Sequence, residues 1–313
     1  MLFKQLLEVY DLLDDPQASG ARVKAYLEGL CGEVSVTVTP LTGPKGTTDS
    51  ICIRIPGAHG RMKGGDAPTL GIIGRLGGIG ARPEMIGFVS DGDGCCTALT
   101  AAAKILAMQA KGDLLPGDVI VSTHICPHAP TAPHDPVPFM GSPVNMAQNN
   151  EAEVRPEMDA ILTIDTTKGN RVINHNGFAI SNTVKSGYIL RISEDLLGIM
   201  QTVTGDYPRV FPLSMQDITP YGNGIYHLNS ILQPAVVTDA PVVGVAITTA
   251  TAVAGCATGA SHSTDMESAA RFAVEVAKYF GQKKCSFYDP DEFARLEQLY
   301  GSMKQLQTMG RQD

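Results

Sequence analysis

The chain has 313 residues, of which 43% are hydrophobic and 18% charged, so it is long enough to bury a large core. Its formal net charge of −8 argues against a nucleic-acid partner, which would need a basic face. It contains no run of about 18 apolar residues, so the sequence predicts no membrane-spanning helix and no membrane partner.

The first predicted element is an amphipathic helix in "MLFKQLLEVYDLLDD" at the N-terminus. This stretch lacks the charged start, the long apolar run and the small-residue cleavage site of a signal peptide. We therefore expect a cytoplasmic protein. The seven cysteines form no CxxC pair, which favours free thiols and argues against a structural zinc knuckle.

Two kinds of strand follow along the chain. Residues 35–41 and 50–57 alternate apolar and polar side chains, as half-buried strands do. Four nearly continuous apolar runs are typical of strands that are covered on both faces, namely 69–77, 118–126, 159–167 and 241–252.

Helix patterns lie between these strands, over residues 96–112, 193–205 and 263–281. The first ends at a glycine, the second starts with a serine cap, and the third carries the Ser/Thr-to-Glu spacing of a capping box. The alternation predicts an α/β fold, a three-layer sandwich around a mixed, mostly parallel central sheet. We find no internal repeat or linker and expect a single domain over residues 1–313.

Polar clusters follow the predicted strands at the points where open α/β sheets bind ligands. Their side chains are carboxylates, imidazoles and a thiol, the groups that bind zinc or a related divalent ion. The clusters are Asp91 and Asp93; His124, Cys126 and His128; Asp165; and His262, Asp265 and Glu267. Asp91 and Asp93 could equally be turn and cap residues, and His262 could cap the helix that follows it.

The stretch "VSTHICPHAPTAPHDP" holds three of the seven histidines. His124, Cys126 and His128 alternate, and in a regular strand successive members would lie about 7 Å apart, too wide for all three to bind one ion. We expect part of this set to act together with residues from other strands. His124 is a candidate metal ligand, and His124 and His128 are candidate proton carriers. Cys126 is a candidate thiolate nucleophile.

Two further stretches contain candidate substrate-binding residues. "GRLGGIGARP" opens no dinucleotide-binding helix, but Arg75 and Arg82 could bind a substrate carboxylate or phosphate, or could pair with the chain's own aspartates. "QDITPYGNGIYHLNS" is rich in turn formers and amides and is typical of a substrate-binding or subunit-contact loop. Gln216 and Asp217 begin it.

The order of these clusters resembles that of the two-zinc metallo-aminopeptidases of the glutamyl and deblocking aminopeptidase group, over roughly residues 65–280. The resemblance implies the zinc-exopeptidase architecture, without the β-domain that larger members insert between Arg75 and Asp91. It also implies that Asp91 bridges two ions, that Asp165 and His262 each bind one, and that "MQDI" belongs to the closing segments of the site. Homo-oligomers are common in this architecture.

This chain departs from that pattern at the first metal site. Arg75 stands where the first histidine should be and Gly77 where its orienting aspartate should be, and an arginine does not bind zinc. The glutamate pair expected near residue 126 is missing. The whole chain is still more similar to a bacterial family known as domain of unknown function 1177, in "GRLGGIGARPEMIGFVSDGDG", "DTTKGNRVINHNGFAIS" and "QDITPYGNGIYHLNS".

Two functions remain open at this point. The first is a hydrolase that cleaves a C–N bond in a small peptide-like or amide substrate with a divalent metal ion, by expectation zinc, with manganese or cobalt as alternatives. The second is a catalytically inactive relative that binds a small acidic ligand or serves as an assembly partner. Metal content and substrate screening distinguish them.

Overall fold

The computed structural model describes residues 2–75, 77, 87–133, 135, 138–255 and 257–311. Its helices are α1 Phe3–Asp14, α2 Gly20–Leu30, α3 Asp93–Gln109, α4 Met146–Glu153, α5 Glu194–Thr204, α6 Ser263–Gly281 and α7 Pro290–Tyr300. None of these described helices is both long enough and apolar enough to cross a membrane.

The strands alternate with these helices along much of the chain. They are β1 Ser35–Gly43, β2 Gly46–Ile55, β3 Leu70–Gly74, β4 Val119–Ile125, β5 Thr131–Ala132, β6 Phe139–Met140, β7 Ala160–Thr166, β8 Gly177–Ser181, β9 Val184–Lys185, β10 Tyr188–Ile189, β11 Val210–Phe211 and β12 Val242–Thr248. β5 and β6 pair only with each other.

The other strands that the structure describes form one ten-stranded sheet in the order β1-β2-β4-β3-β7-β12-β8-β11, with β9 beside β12 and β10 beside β9. The central strands β4, β3, β7 and β12 are parallel, whereas β2 and β8 run antiparallel to their central neighbours. The carboxyl ends of the four central strands therefore meet at one edge of the sheet, which we call the carboxyl edge.

Two apolar cores cover the two faces of this sheet. Because successive strand residues point to opposite faces, Val121 and Leu162 lie in the core beneath α1, α3 and α6, whereas Ile120 and Ile161 lie in the other. The second face is covered by α4 and by the 3-10 segment Ser230–Val236. The predicted three-layer α/β fold is confirmed, and its continuous apolar runs are strands buried on both faces.

The helix ends differ from the sequence analysis at α3 and α6. The predicted helix 96–112 is observed as Asp93–Gln109, so it ends before the glycine expected to stop it. Ser193 caps α5 as expected and accepts the Leu196 N–H at 3.2 Å. The capping box expected at α6 is wrong, because the residue before that helix is His262 and its side chain makes no capping hydrogen bond. Ser263, the first serine of the pattern, is already inside the helix.

Candidate functional site

Three segments that follow central strands meet at the carboxyl edge. The Thr166 hydroxyl, at the end of β7, donates to the Ser90 carbonyl at 2.7 Å. The Asp91 N–H donates to the Gly255 carbonyl at 2.9 Å. A Cβ on Gly255 would stand 2.2 Å from Asp91 Oδ1, so the carboxylate of Asp91 packs directly against this glycine. Folding therefore brings the segments around residues 91, 166 and 255 into contact.

Asp93, the first residue of α3, lies at the centre of a buried ionic cluster. Its side chain has no exposed surface, and it accepts hydrogen bonds from the Ser261 hydroxyl at 2.6 Å and from Lys168 Nζ at 3.3 Å. Burial raises the pKa of Asp93 to about 6, while Lys168 and Ser261 favour its ionised form. Lys168 also donates to the Ala260 carbonyl at 2.9 Å, which ties the loop after β7 to the loop before α6.

Asp165 lies one residue before the end of β7 and is 4% exposed. Its Oδ1 accepts the Thr166 N–H at 2.7 Å and its Oδ2 accepts the Ser230 hydroxyl at 3.0 Å. Burial raises the pKa of Asp165 to about 6, opposed by these hydrogen bonds and by the positive charge of Arg75. Both oxygens of this predicted metal ligand are therefore hydrogen-bonded within the chain.

Arg75 directly follows β3 and is 1% exposed. Its N–H donates to the Ile164 carbonyl of β7 at 2.7 Å, so the backbone continues the sheet ladder at this point. Its guanidinium forms an ion pair with Glu153 at 2.7 Å and donates to Asn150 Oδ1, both on α4. Burial raises the pKa of Glu153 to about 7, and Arg75 opposes that shift. The guanidinium of this predicted substrate-binding residue is thus bound by the protein itself.

His124, in β4, is 2% exposed and uses both ring nitrogens. Nε2 accepts the Gly77 N–H at 2.9 Å, so the ring proton sits on Nδ1, which is 2.9 Å from Thr48 Oγ1. The Thr48 hydroxyl in turn donates to the Ile125 carbonyl at 3.0 Å. Burial, and then the charge of Arg75, lower the pKa of His124 to about 4. In this arrangement the imidazole is neutral and neither nitrogen is free to bind an ion or carry a proton.

β4 ends at Ile125, so Cys126 and His128 lie in the segment that follows the strand. Cys126 is buried, and burial raises the pKa of its thiol to about 11, so the group is a thiol at neutral pH rather than a nucleophilic thiolate. His128 is exposed. Cys126 and His124 share Thr48 as a hydrogen-bonding neighbour. A joint catalytic role for His124, Cys126 and His128 stays a prediction.

His262 lies at the start of α6, with half of its side chain exposed and Nδ1 3.9 Å from Asp265 Oδ2. It is at the carboxyl edge, as expected. Asp265 is more enclosed, with a side chain that is 17% exposed, and burial raises its pKa.

The loop after residue 214 is held by Asp217. This carboxylate is 1% exposed and accepts the N–H groups of Ser214, Leu228 and Asn229 at 2.8, 3.0 and 3.0 Å. Gln216 is exposed. The loop presents large apolar side chains to solvent, with Leu228 63% exposed, so a contact role for it stays a prediction. Arg82 lies outside the described residues, and so does His134.

The expected divalent ion does not fit the side chains that the structure describes. Among them, no group of three or more His, Cys, Asp and Glu residues could hold one ion. The buried guanidinium of Arg75 already supplies a positive charge beside Asp165, and His124 is fully hydrogen-bonded. Metal binding by Asp91, Asp165, His262 and His124 therefore stays a prediction without support from these contacts.

Several residues of this edge were missed by the sequence analysis. Lys168 is the second residue after β7, in "DTTKG", and a basic residue near a strand end is a signal that could have been used. Ser230 and Ser261 gave no such signal, because serine is common in loops. Glu153 lies in α4, whose sequence "MAQNNEAE" shows no apolar period that would predict a buried carboxylate.

The family model described as "Protein of unknown function (DUF1177)" matches residues 39–310 of this chain. A search of curated proteins gave no match. Solved structures share the fold at low sequence identity. The LapA aminopeptidase of Legionella pneumophila superposes with a TM-score of 0.52 at 12% identity, over 92% of this chain and 71% of that one.

Two other structures give similar values. The bottromycin maturation enzyme BotP in complex with Mn has a TM-score of 0.52 at 11% identity, over 88% of this chain and 70% of that one. The cytosol aminopeptidase of Coxiella burnetii has a TM-score of 0.50 at 13% identity, over 89% of this chain and 68% of that one. This similarity confirms the aminopeptidase-type fold. It does not carry a function, because one fold can host many functions.

Proposed function

The chain belongs to the DUF1177 family, and we propose that it binds a small peptide-like or amide molecule at the carboxyl edge of its sheet without a bound metal ion. The proposal selects the second of the two functions left open by the sequence, a ligand-binding relative of the aminopeptidase-fold enzymes. Ligands of open α/β sheets bind beyond the carboxyl ends of the strands, which supports the location.

The observation that carries the proposal is the buried ion pair between Arg75 and Glu153 at the end of β3, with N and O atoms 2.7 Å apart. A guanidinium stays protonated at any pH a folded protein tolerates, so its charge is permanent. A divalent cation placed beside it would be repelled, and at His124 it would have to displace a hydrogen bond that a ring nitrogen already makes.

The charges of this edge also bear on the kind of ligand. Two cations of this edge, Arg75 and Lys168, are nearly buried and already contact carboxylates of the chain. An acidic ligand at Arg75, as the sequence suggested, would compete with Glu153. We therefore favour peptide-like and amide molecules, which offer neutral hydrogen-bonding groups and an amine, over purely acidic ones.

The test is a binding screen of dipeptides, acyl amino acids and cyclic amides by thermal shift and calorimetry, run once with EDTA and once with added zinc, manganese or cobalt. We expect at least one probe to bind equally well in both conditions and to be recovered intact by mass spectrometry. Binding that requires metal, or cleavage of a probe, would contradict the proposal.

A second candidate is the metal-dependent hydrolase of C–N bonds. It is favoured by the half-exposed imidazole of His262 at the same edge as Asp91 and by the fold shared with aminopeptidases. Metal-stimulated cleavage in the same screen would support this candidate.

A further inference from the structure

A cavity of about 560 Å³ lies at the carboxyl edge, beside the cluster of Asp93 and Lys168. It is formed where β12 ends, where β8 begins and where α6 begins, since Thr248 of β12 pairs with Gly177 of β8. Its walls include His175, Tyr207, Arg209, Ala250, Thr264 and Asp265. Small-molecule sites commonly enclose about 300–1,000 Å³, so the cavity has the size of a ligand site.

Arg209 supplies a fixed positive charge on one wall. Its Nη1 donates to the Asn176 carbonyl at 2.7 Å and its Nη2 to Asp206 Oδ2 at 2.9 Å. A guanidinium has five N–H donors in a planar fork, and these two contacts hold the fork in place without using all of them. A carboxylate is the group that such a fork binds best.

Asp265 supplies a negative charge on another wall, from the first turn of α6. Its side chain is 17% exposed, so the carboxylate is largely enclosed but still reachable from the cavity. An ammonium group binds such an enclosed carboxylate strongly, because little water competes for it.

His175 adds a polar group that lacks a partner. Its Nε2 is buried and makes no hydrogen bond with any described residue. Burial and the nearby charge of Arg209 lower the pKa of His175, so the ring is neutral at physiological pH. A buried nitrogen without a partner costs free energy, which a ligand or a water molecule held by it would recover.

A larger cavity of about 770 Å³ at the opposite edge of the sheet is less suited to a charged ligand. Its lysine, Lys185, donates to the Asp239 carbonyl at 2.6 Å and stands 5.2 Å from the ring centres of Tyr288 and Phe293. This edge also carries the amino ends of β7 and β12, where sheet ligands rarely bind.

We propose that the 560 Å³ cavity binds a small zwitterionic molecule, with its carboxylate on Arg209 and its ammonium group on Asp265. This inference rests on the proposed function, because it names the ligand class and the position of the same metal-free binding activity. Free amino acids and dipeptides share this chemistry. The proposed function names peptide-like ligands, which favours the dipeptide.

The experiment is a calorimetric titration of the full chain, in EDTA, with L-leucine and with L-leucyl-L-leucine. N-acetyl-leucyl-leucine and leucyl-leucine amide, which each lack one charge, serve as matched probes. We expect L-leucyl-L-leucine to bind. Blocking either of its charges, or replacing its partner by Asp265→Asn or Arg209→Gln, should weaken binding by about threefold or more, since each change removes one charge pair at a partly exposed site. If L-leucine binds more tightly, the ligand is an amino acid and the cavity assignment stands.

Two exposed residues give control variants. Arg191→Gln removes an arginine that pairs with Glu292 at 2.9 Å, and Asp66→Asn removes an aspartate that pairs with Lys283 at 2.8 Å. Both should leave the affinity unchanged. Circular dichroism of all four variants checks that they fold, and a variant that unfolds is replaced by Arg209→Lys or Asp265→Ser.

The outcomes separate this inference from the proposed function. Zwitterion binding that survives both cavity variants would overturn the cavity assignment and leave the proposed function standing. Binding of only acyl amino acids or cyclic amides would overturn the zwitterion class in the same way. If none of the peptide-like or amide probes binds, both proposals fail.

Discussion

Replacing Arg75 with methionine tests the buried ion pair at the end of β3 and should destabilise the protein in a pH-dependent way. Arg75 is 1% exposed and contacts Glu153 and Asn150. Methionine keeps part of the volume and removes the charge. At pH 5 Glu153 is protonated in the folded protein, because burial raises its pKa to about 7. At pH 5 the variant therefore loses only hydrogen bonds and packing, and we expect its free energy of unfolding to fall by about 2–3 kcal/mol.

The loss should grow as the pH rises. A carboxyl whose folded pKa lies above its unfolded value favours folding at low pH, and that contribution is lost as the pH rises towards the folded pKa. In the wild type, the contribution of Glu153 to the free energy of unfolding stops falling near pH 7, its folded pKa. Without Arg75 the folded pKa of Glu153 is higher still. The free energy of unfolding therefore keeps falling above pH 7, by up to about 1.4 kcal/mol per pH unit. At pH 8 we expect an additional penalty of about 1–2 kcal/mol.

The assay is urea unfolding followed by circular dichroism at pH 5 and pH 8, with the wild type, Arg75→Met and the double variant Arg75→Met/Glu153→Gln. The double variant should lose most of the pH-dependent part, because it has no carboxyl at position 153. A penalty for Arg75→Met that is equal at pH 5 and pH 8, or below about 1 kcal/mol at both, would refute the argument from a buried charge pair.

Three further expectations concern single residues of the carboxyl edge. Gly255→Ala should cost about 1 kcal/mol in urea unfolding, because its Cβ would lie 2.2 Å from Asp91 Oδ1 and the carboxylate would have to turn away. A loss of more than about 3 kcal/mol would contradict this, because it would mean that Asp91 cannot move. His124, with a pKa lowered to about 4, should stay neutral from pH 8 to pH 5 in an NMR titration. Its contribution to the free energy of unfolding should be lost as the pH falls from about 6.5 to 4. An imidazole that titrates near pH 6.5 would contradict its hydrogen-bonded arrangement. Cys126, whose pKa is raised to about 11, should react with iodoacetamide at pH 8 far more slowly than free cysteine. Rapid labelling would support its role as a thiolate nucleophile.

The four central strands β3, β4, β7 and β12 were predictable because their signal is local, whereas the short strands β5, β6 and β8–β11 were not predicted. In β7 and β12 the side chains alternate between two apolar cores, so nearly every position is apolar and the run stands out in the sequence. The position of Asp165 at a strand end followed from the same run. Short α4 and the 3-10 segment Ser230–Val236 were missed, because neither carries a long apolar period.

The candidate site was harder to predict, because its contacts join residues that are far apart in the chain. Nothing near Arg75 in the sequence indicates that its partner is Glu153 on α4. The spacing of His124, Cys126 and His128 suggested a shared site, but it gave no sign that Thr48 contacts both His124 and Cys126. Aspartate, glutamate and histidine at strand ends give the same sequence pattern whether they bind a metal ion or each other. Only the contacts in the folded protein distinguish the two cases.

Elemental analysis of the full chain, purified without chelator, tests the metal-free proposal most directly. With Arg75 paired at the end of β3, we expect less than about 0.2 equivalents of any transition metal, and no rise after incubation with zinc, manganese or cobalt and removal of the excess. Close to one equivalent of bound metal, with occupancy that falls in His262→Ala, would contradict the proposal and establish the metal-dependent alternative.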